Sequence, residues 1–310
     1  MNLQDIEIFL ATARTKNISK TATDMYMSQS TLSHRLINLE KELGITLFNR
    51  SKGKRIMELT QQGNDFISVA EQWIVLWNET QRIRDHGNRI SFSIGAVASL
   101  NQHLFLPVYM RLQEHKDPSI DLSIKSVTSS SLYSSIENYE FDIGFAVMPS
   151  FHNSISSSAI FTENMVLVHF GGGQPGQPLF GGDVNPLDLN PDNEVFLNFH
   201  PNYVHWRNCM WDQATTPRFA TSDANLVMPA LQRQDTWVIM AMSVALSYAR
   251  QVPLTINRLT NPPPDRICYI LTHRLSRPSK QQVYNMFYEY LDEYLEDAQK
   301  EGILTCLPKS

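Results

Sequence analysis

Gln29, Ser30, Thr31, His34 and Arg35 put five hydrogen-bonding side chains into seven consecutive residues. Glutamine can pair bidentately with adenine, and arginine with guanine. Ser28 precedes them. With the free N–H groups of a helix's first turn, it can hold a phosphate. Farther on, Arg50, Lys52, Lys54 and Arg55 crowd four cations around Gly53, chemistry suited to a phosphate backbone. For either stretch alone, a solvated polar face or a solvated charge run is the ordinary alternative. The charge balance bears on the choice. The chain of 310 residues has a net charge of −5, yet residues 1–60 carry +3 and the remainder −8. A basic head on an acidic body is the asymmetry expected when one small module touches phosphate and the rest must not.

The surrounding elements must position these groups. Ile6, Phe9, Leu10 and Ala13 recur at helical spacing and predict a helix over Leu3–Thr15. Asn17-Ile18-Ser19 breaks it, and Ser19 is the expected N-cap of a second helix burying Ala22 and Met25. Met27-Ser28-Gln29 makes a short turn. A third helix follows, with Leu32, Leu36, Leu39 and Leu43 as its apolar stripe and Gly44 as a left-handed C-cap. The polar residues lie near its N-terminal end, where a recognition helix meets base edges. Leu47 and Phe48 before the cations, and Ile56, Met57 and Leu59 after them, predict a two-stranded wing with a cationic tip.

Residues 3–63 resemble the DNA-binding domain of LysR-type transcriptional regulators. The matching stretches are Leu3-Gln4-Asp5-Ile6-Glu7-Ile8-Phe9, Met27-Ser28-Gln29-Ser30-Thr31-Leu32-Ser33, Leu39-Glu40-Lys41-Glu42-Leu43-Gly44, Leu47-Phe48-Asn49-Arg50 and Leu59-Thr60-Gln61-Gln62-Gly63. They stand in the family's order and spacing. Ser30 replaces a frequent Pro or Ala, Thr21 a usual Ala, and His34 a frequent Arg or Lys. A neutral His attracts phosphate less. The resemblance implies a winged helix-turn-helix on double-stranded promoter DNA, a small-molecule effector, a homodimer or tetramer, and RNA polymerase as a further partner.

Thr60 is the expected N-cap of a long helix to about Asp85, with Phe66, Ala70, Trp73, Trp77 and Ile83 apolar. Two tryptophans on a connecting helix call for cover, each able to bury about 150–250 Å². Packing on the chain's own body is one way to provide it. In the resembling family this helix pairs antiparallel with a second subunit. His86-Gly87-Asn88-Arg89 reads as a hinge.

From Ile90 strands alternate with helices, which predicts an α/β fold with largely parallel sheets. One long helix is expected from Asn101 to Gln113. The layout is similar to the periplasmic-binding-protein-like effector domain of the same family, with crossovers expected near Ile160–Glu163 and Pro264–Ile267. The expected domains are 1–60, a linker helix 61–88, and an effector domain 89–310, divided into 89–162 with 267–310, and 163–266. Ligands bind outside the carboxyl ends of strands in such sheets. Those ends bring Ser99, Asn101, Thr128, Ser129, Asn198, Phe199, His200, Thr221 and Ser222 forward as candidate contacts to a small polar or anionic effector. The Ser, Thr and Asn residues among them are also ordinary helix-cap types. Tyr203, His205, Trp206 and Arg207 line that cleft or form an aromatic core.

No catalytic, metal or cofactor site is expected. The chain has no Gly-x-Ser-x-Gly elbow, and no Lys-Ser/Thr follows Gly171-Gly172-Gly173. Cys209, Cys268 and Cys306 are too few and too dispersed for a disulfide framework or a zinc site. The polar, acidic start Met-Asn-Leu-Gln-Asp-Ile-Glu is no signal peptide, and no apolar run is long enough to cross a bilayer. These features favour the cytoplasm over a membrane or a secreted solute carrier. An α/β enzyme would be marked by turnover of a ligand, and a purely structural nucleoid protein by the lack of any ligand.

Overall fold

The computed structural model describes residues 2–49, 57–85, 89–198, 200–212, 214–232, 235–275 and 277–308. Apart from residues 138–140, the chain divides into two compact units, 1–88 and 89–310. The predicted hinge at residues 86–88 and the wing tip at residues 50–56 lie outside the described residues.

The first unit comprises α1 (Leu3–Thr15), α2 (Ile18–Asp24), α3 (Gln29–Leu43), β1 (Phe48–Asn49), β2 (Glu58–Leu59) and α4 (Gln61–Asp85). Ile6, Phe9, Leu32, Leu36, Leu39, Leu47, Phe48, Phe66 and Ala70 form one buried cluster. The Phe9 ring lies 5.6 Å from that of Phe48 and 5.0 Å from that of Phe66. Asn17, rather than the expected Ser19, caps α2: its side chain accepts from the N–H groups of Ser19 and Lys20. Gly44 ends α3 at φ +70°. Thr60 caps α4 through the Gly63 N–H at 2.9 Å. A Cβ on Gly63 would stand 2.1 Å from the Leu47 carbonyl oxygen, so only glycine lets α4 start this close to the wing strand.

The second unit holds β3 (Arg89–Ala96), α5 (Ala98–His103), α6 (Leu106–Gln113), β4 (Ser119–Ser126), α7 (Ser129–Glu137), β5 (Ile143–Ala146), β6 (Ile155–Glu163), β7 (Met165–Phe170), β8 (Leu179–Phe180), β9 (Val195–Leu197), α8 (Pro201–Met210), β10 (Phe219–Thr221), α9 (Val227–Leu231), β11 (Trp237–Ala241), α10 (Met242–Ala249), β12 (Leu254–Asn257), β13 (Arg266–His273), α11 (Gln281–Lys300) and β14 (Thr305–Cys306). The single helix expected over Asn101–Gln113 is two, because Pro107 cannot donate to a preceding turn and instead opens α6.

One six-stranded sheet has the order β14-β6-β13-β5-β3-β4, and a four-stranded sheet the order β11-β7-β12-β8. β9 and β10 pair in parallel, and a bridge from Glu194 to Trp237 joins β9 to β11. β6 stays in the first sheet through Glu163, opposite Arg266. The chain therefore changes sheet at Asn164 and returns between Asn257 and Arg266. Among the described residues, three buried carboxylates pair with cations and brace this unit. Asp142 accepts from Lys280 Nζ and from the Ser93 N–H, at 2.9 and 2.8 Å. Arg207 Nε donates to Glu194 at 2.7 Å, and burial pushes the Glu194 carboxyl above its ordinary pKa. The third pair, Arg266 with Glu163, lies where the sheets exchange.

Candidate nucleic-acid interface and effector cleft

α3 shows two chemically distinct faces. Leu32, Leu36 and Leu39 are buried, while Ser28, Gln29, Ser30, Thr31 and His34 are exposed. Ser28 is the N-cap. Its hydroxyl accepts from the Thr31 N–H at 3.1 Å and lies 2.8 Å from the Thr31 hydroxyl. Ser19 donates to Gln29 Oε1 at 3.1 Å, which steadies a side chain aimed at solvent. His34 hydrogen-bonds Asn38, one turn on.

Arg35 is placed differently from its expected partners on this face. It is half-buried, and Nε donates to Asp5 at 2.8 Å and Nη2 to Asn2 at 3.0 Å. The guanidinium locks α3 to the first turn of α1 in place of reaching outward. Arg50, Lys52, Lys54 and Arg55 lie outside the described residues.

Two residues of this unit escaped the sequence reading. Glu40 Oε1 accepts from the N–H groups of Leu47 and Phe48, at 2.8 and 3.1 Å, and so pins the wing strand to the end of α3. Only its polar character beside the buried Leu39 hinted at this. Tyr26 is 99% exposed in the turn before α3. On α4, Val69, Gln72, Trp73, Leu76, Trp77 and Thr80 line a groove of about 350 Å³. Trp73 and Trp77 remain 37% and 41% exposed within the chain.

In the second unit, the predicted effector residues follow the carboxyl ends of parallel neighbours. Ser99 and Asn101 come after β3, Thr128 and Ser129 after β4, and Ala96 pairs with Ser126. Asn198 and His200 follow β9, Thr221 ends β10 with Ser222 next to it, and Leu197 pairs with Thr221. Phe199 lies outside the described residues.

The side chains differ in availability. Asn198, Ser222 and Thr128 are exposed. Thr128 Oγ1 caps α7 through the Ser131 N–H at 3.3 Å. Thr221 Oγ1 accepts from the Asp223 N–H at 2.9 Å. Asn101 is buried: its amide donates to Ser126 and to the Lys125 carbonyl, and its oxygen accepts from Tyr109 at 2.8 Å. Ser129 is buried and accepts from the Val147 N–H. His200 caps α8 through the Asn202 N–H at 3.0 Å. Of the aromatic group, Tyr203 and Trp206 are buried and stacked with ring centroids 5.9 Å apart, so they form core. A cavity of about 410 Å³ between β6, β13, β14 and α11 contains none of the predicted effector residues.

The junction between the sheets carries a network that spacing did not reveal. Arg266, 9% exposed, donates from Nε to the fully buried Glu163 at 2.9 Å, from Nη1 to Ser99 at 2.8 Å and from Nη2 to Ser243 at 3.3 Å. The Ser243 N–H, at the start of α10, donates to Glu163 at 3.2 Å. His103 lies 2.9 Å from the Ser247 hydroxyl. Burial first, and then the Arg266 charge, lower the His103 pKa. Burial likewise lowers His169, His200 and His273.

A histidine held neutral by the fold takes its proton in the unfolded chain first. Its stabilising contribution is complete above the unfolded value of about 6.5 and is lost as pH falls through and below it. Urea midpoints at pH 7.5 and 5.5 are therefore expected to drop on acidification, and to drop less in His103→Gln. An identical fall in both proteins would contradict a role for His103.

The family model for the bacterial regulatory helix-turn-helix protein of the lysR family matches residues 3–64. That for the LysR substrate binding domain matches residues 85–295. The HTH-type transcriptional activator IlvY of Haemophilus influenzae is 29% identical over 163 residues, 52% of this chain and 54% of that protein. A probable RuBisCO transcriptional regulator of Phaeodactylum tricornutum is 33% identical over 144 residues, 46% of each chain. The chain thus spans about half the length of these curated relatives. Full-length CbnR, solved in complex with its target DNA, superposes with a TM-score of 0.61 at 18% identity, covering 95% of this chain and 100% of CbnR. A full-length OxyR variant from Pseudomonas aeruginosa gives 0.58 at 18% identity, covering 94% of each chain. At these identities the structural likeness establishes the fold, and the two family matches establish the membership: the chain belongs to the LysR family of bacterial helix-turn-helix regulatory proteins.

Proposed function

We propose that the protein is a sequence-specific DNA-binding transcriptional regulator whose promoter binding or activation is controlled by a small polar or anionic effector. The observation that carries this reading is the first turn of α3, exposed and hydrogen-bonding on one side and backed by buried leucines on the other. Ser28, Gln29, Ser30, Thr31 and His34 meet the duplex, with Arg50, Lys52, Lys54 and Arg55 of the wing on its backbone, while Arg35 braces the domain from within. α4 associates with its copy in a second subunit, giving a homodimer or tetramer that presents two heads to two half-sites. The exposed Trp73 and Trp77 support this. The effector lies at the junction of the two sheets, against Ser99, Thr128, Asn198, His200, Thr221 and Ser222, with Asn101 and Ser129 shaping the wall from the core. Its binding shifts the balance of two arrangements by differential affinity. Working boundaries are 1–60, 61–88 and 89–310, with the subdomain exchange at Asn164 and within 258–265. The reading places the protein in the cytoplasm, in contact with RNA polymerase at the promoter, with no enzymatic step of its own.

Selection from random duplexes tests it. Wild type is expected to enrich a site with two half-sites. Gln29→Ala is expected to lose preference at one position in each, a discrimination of about 1–3 kcal/mol. No enriched site for wild type, or an unchanged preference in Gln29→Ala, would overturn the reading.

A further inference from the structure

Tyr26 occupies a position that folding would give to glycine. α2 closes in a Schellman motif: the Met27 N–H donates to the Ala22 carbonyl at 2.9 Å, and the Tyr26 N–H to the Thr23 carbonyl at 3.1 Å. The residue between cap and exit must be left-handed, and Tyr26 has φ +53°. A Cβ in that conformation costs roughly 1–2 kcal/mol. Tyrosine usually offsets such a cost by burying its ring, yet this ring is 99% exposed. Local geometry and packing both disfavour tyrosine here, and strain of this kind in an otherwise regular motif marks a functional position. Its neighbours say which function. Tyr26 stands two residues before the Ser28 cap, beside the exposed Gln29, Ser30 and Thr31. In a helix-turn-helix the second helix enters the groove while the first crosses the sugar–phosphate backbone, and Tyr26 closes that first helix.

We infer that Tyr26 is a DNA-positioning residue whose hydroxyl donates a hydrogen bond to a backbone phosphate oxygen, a partner tyrosine commonly takes. This rests on the DNA-binding reading above and adds a residue to it. A neutral donor displaces no counterion, so its contribution shifts affinity without changing the salt slope. It is also indifferent to base sequence.

Fluorescence anisotropy with a 30-bp duplex of arbitrary sequence, titrated at several salt concentrations, tests the inference. Tyr26→Phe is expected to bind about tenfold or more weakly, the scale of one hydrogen bond to a charged group, with an unchanged salt slope. Tyr26→Gly is expected to bind at least as weakly while its Tm rises, because the left-handed strain is relieved. A merely structural tyrosine cannot move binding and stability in opposite directions. Tyr26→Phe binding within measurement error of wild type at every salt concentration would overturn the inference. If wild type itself shows no salt-dependent binding, the DNA-binding reading fails instead.

Discussion

Glu163→Ala is expected to destabilise the second unit by about 3–5 kcal/mol, read as a lowered urea midpoint with an unchanged slope. The size follows from what the carboxylate leaves behind. Glu163 is fully buried and accepts from Arg266 and from the Ser243 N–H. Its removal strands a guanidinium and a backbone donor away from water. The pair as a whole need not stabilise the fold, since desolvating two charges offsets most of their attraction. Glu163→Leu combined with Arg266→Met is accordingly expected to recover much of the loss. A Glu163→Ala protein within about 1 kcal/mol of wild type would mean that water reaches Arg266, against the burial described here. The same network ends on Ser99, so Glu163→Ala is also the variant in which disturbance of the junction should reach the proposed effector residues.

Raising sodium chloride from about 50 to 200 mM is expected to weaken binding to a selected operator by roughly 10³–10⁵-fold, the loss produced by about 6–10 neutralised phosphates. In the proposed dimer two heads, each with an α3 cap, exposed polar groups and the four cations of residues 50–55, would supply contacts of that number. The chain's net charge of −5 does not prevent this. Screening reduces the influence of distant acidic charge beyond about 10 Å at 0.1 M salt. Lys54→Ala is expected to reduce the log–log slope by about one per head and to weaken every sequence alike, in contrast to Gln29→Ala. A slope near zero for wild type would remove phosphate contact as the basis of binding.

Much of the helix-turn-helix unit was legible because its determinants are local. Helical spacing of Leu32, Leu36 and Leu39 identified the buried stripe of α3, and Gly44 its end. Gly63 stood out in the family's Leu-Thr-x-x-Gly run, though only the approach of the Leu47 carbonyl explains why no side chain fits there. The alternation of strands and helices after residue 89 established the α/β class. It could not establish that β6 reaches Glu163 before the chain changes sheet, because sheet membership depends on a partner strand about a hundred residues away. Asn17 displaced Ser19 as a cap because both are capping types and only the position of the first helical turn chooses between them.

Residue type, order and spacing determined that α3 is polar on one edge and apolar on the other and that an α/β body follows, since periodicity and turn chemistry act over a few residues. Tertiary structure alone decided which polar groups are available. Arg35 faces Asp5 and Asn101 faces the core, although both have the chemistry of outward contacts. Tyr26 stands in water although an aromatic would be expected inside. A side chain's type limits what it can bond, but its partner is set by whichever distant segment the fold brings within about 3 Å.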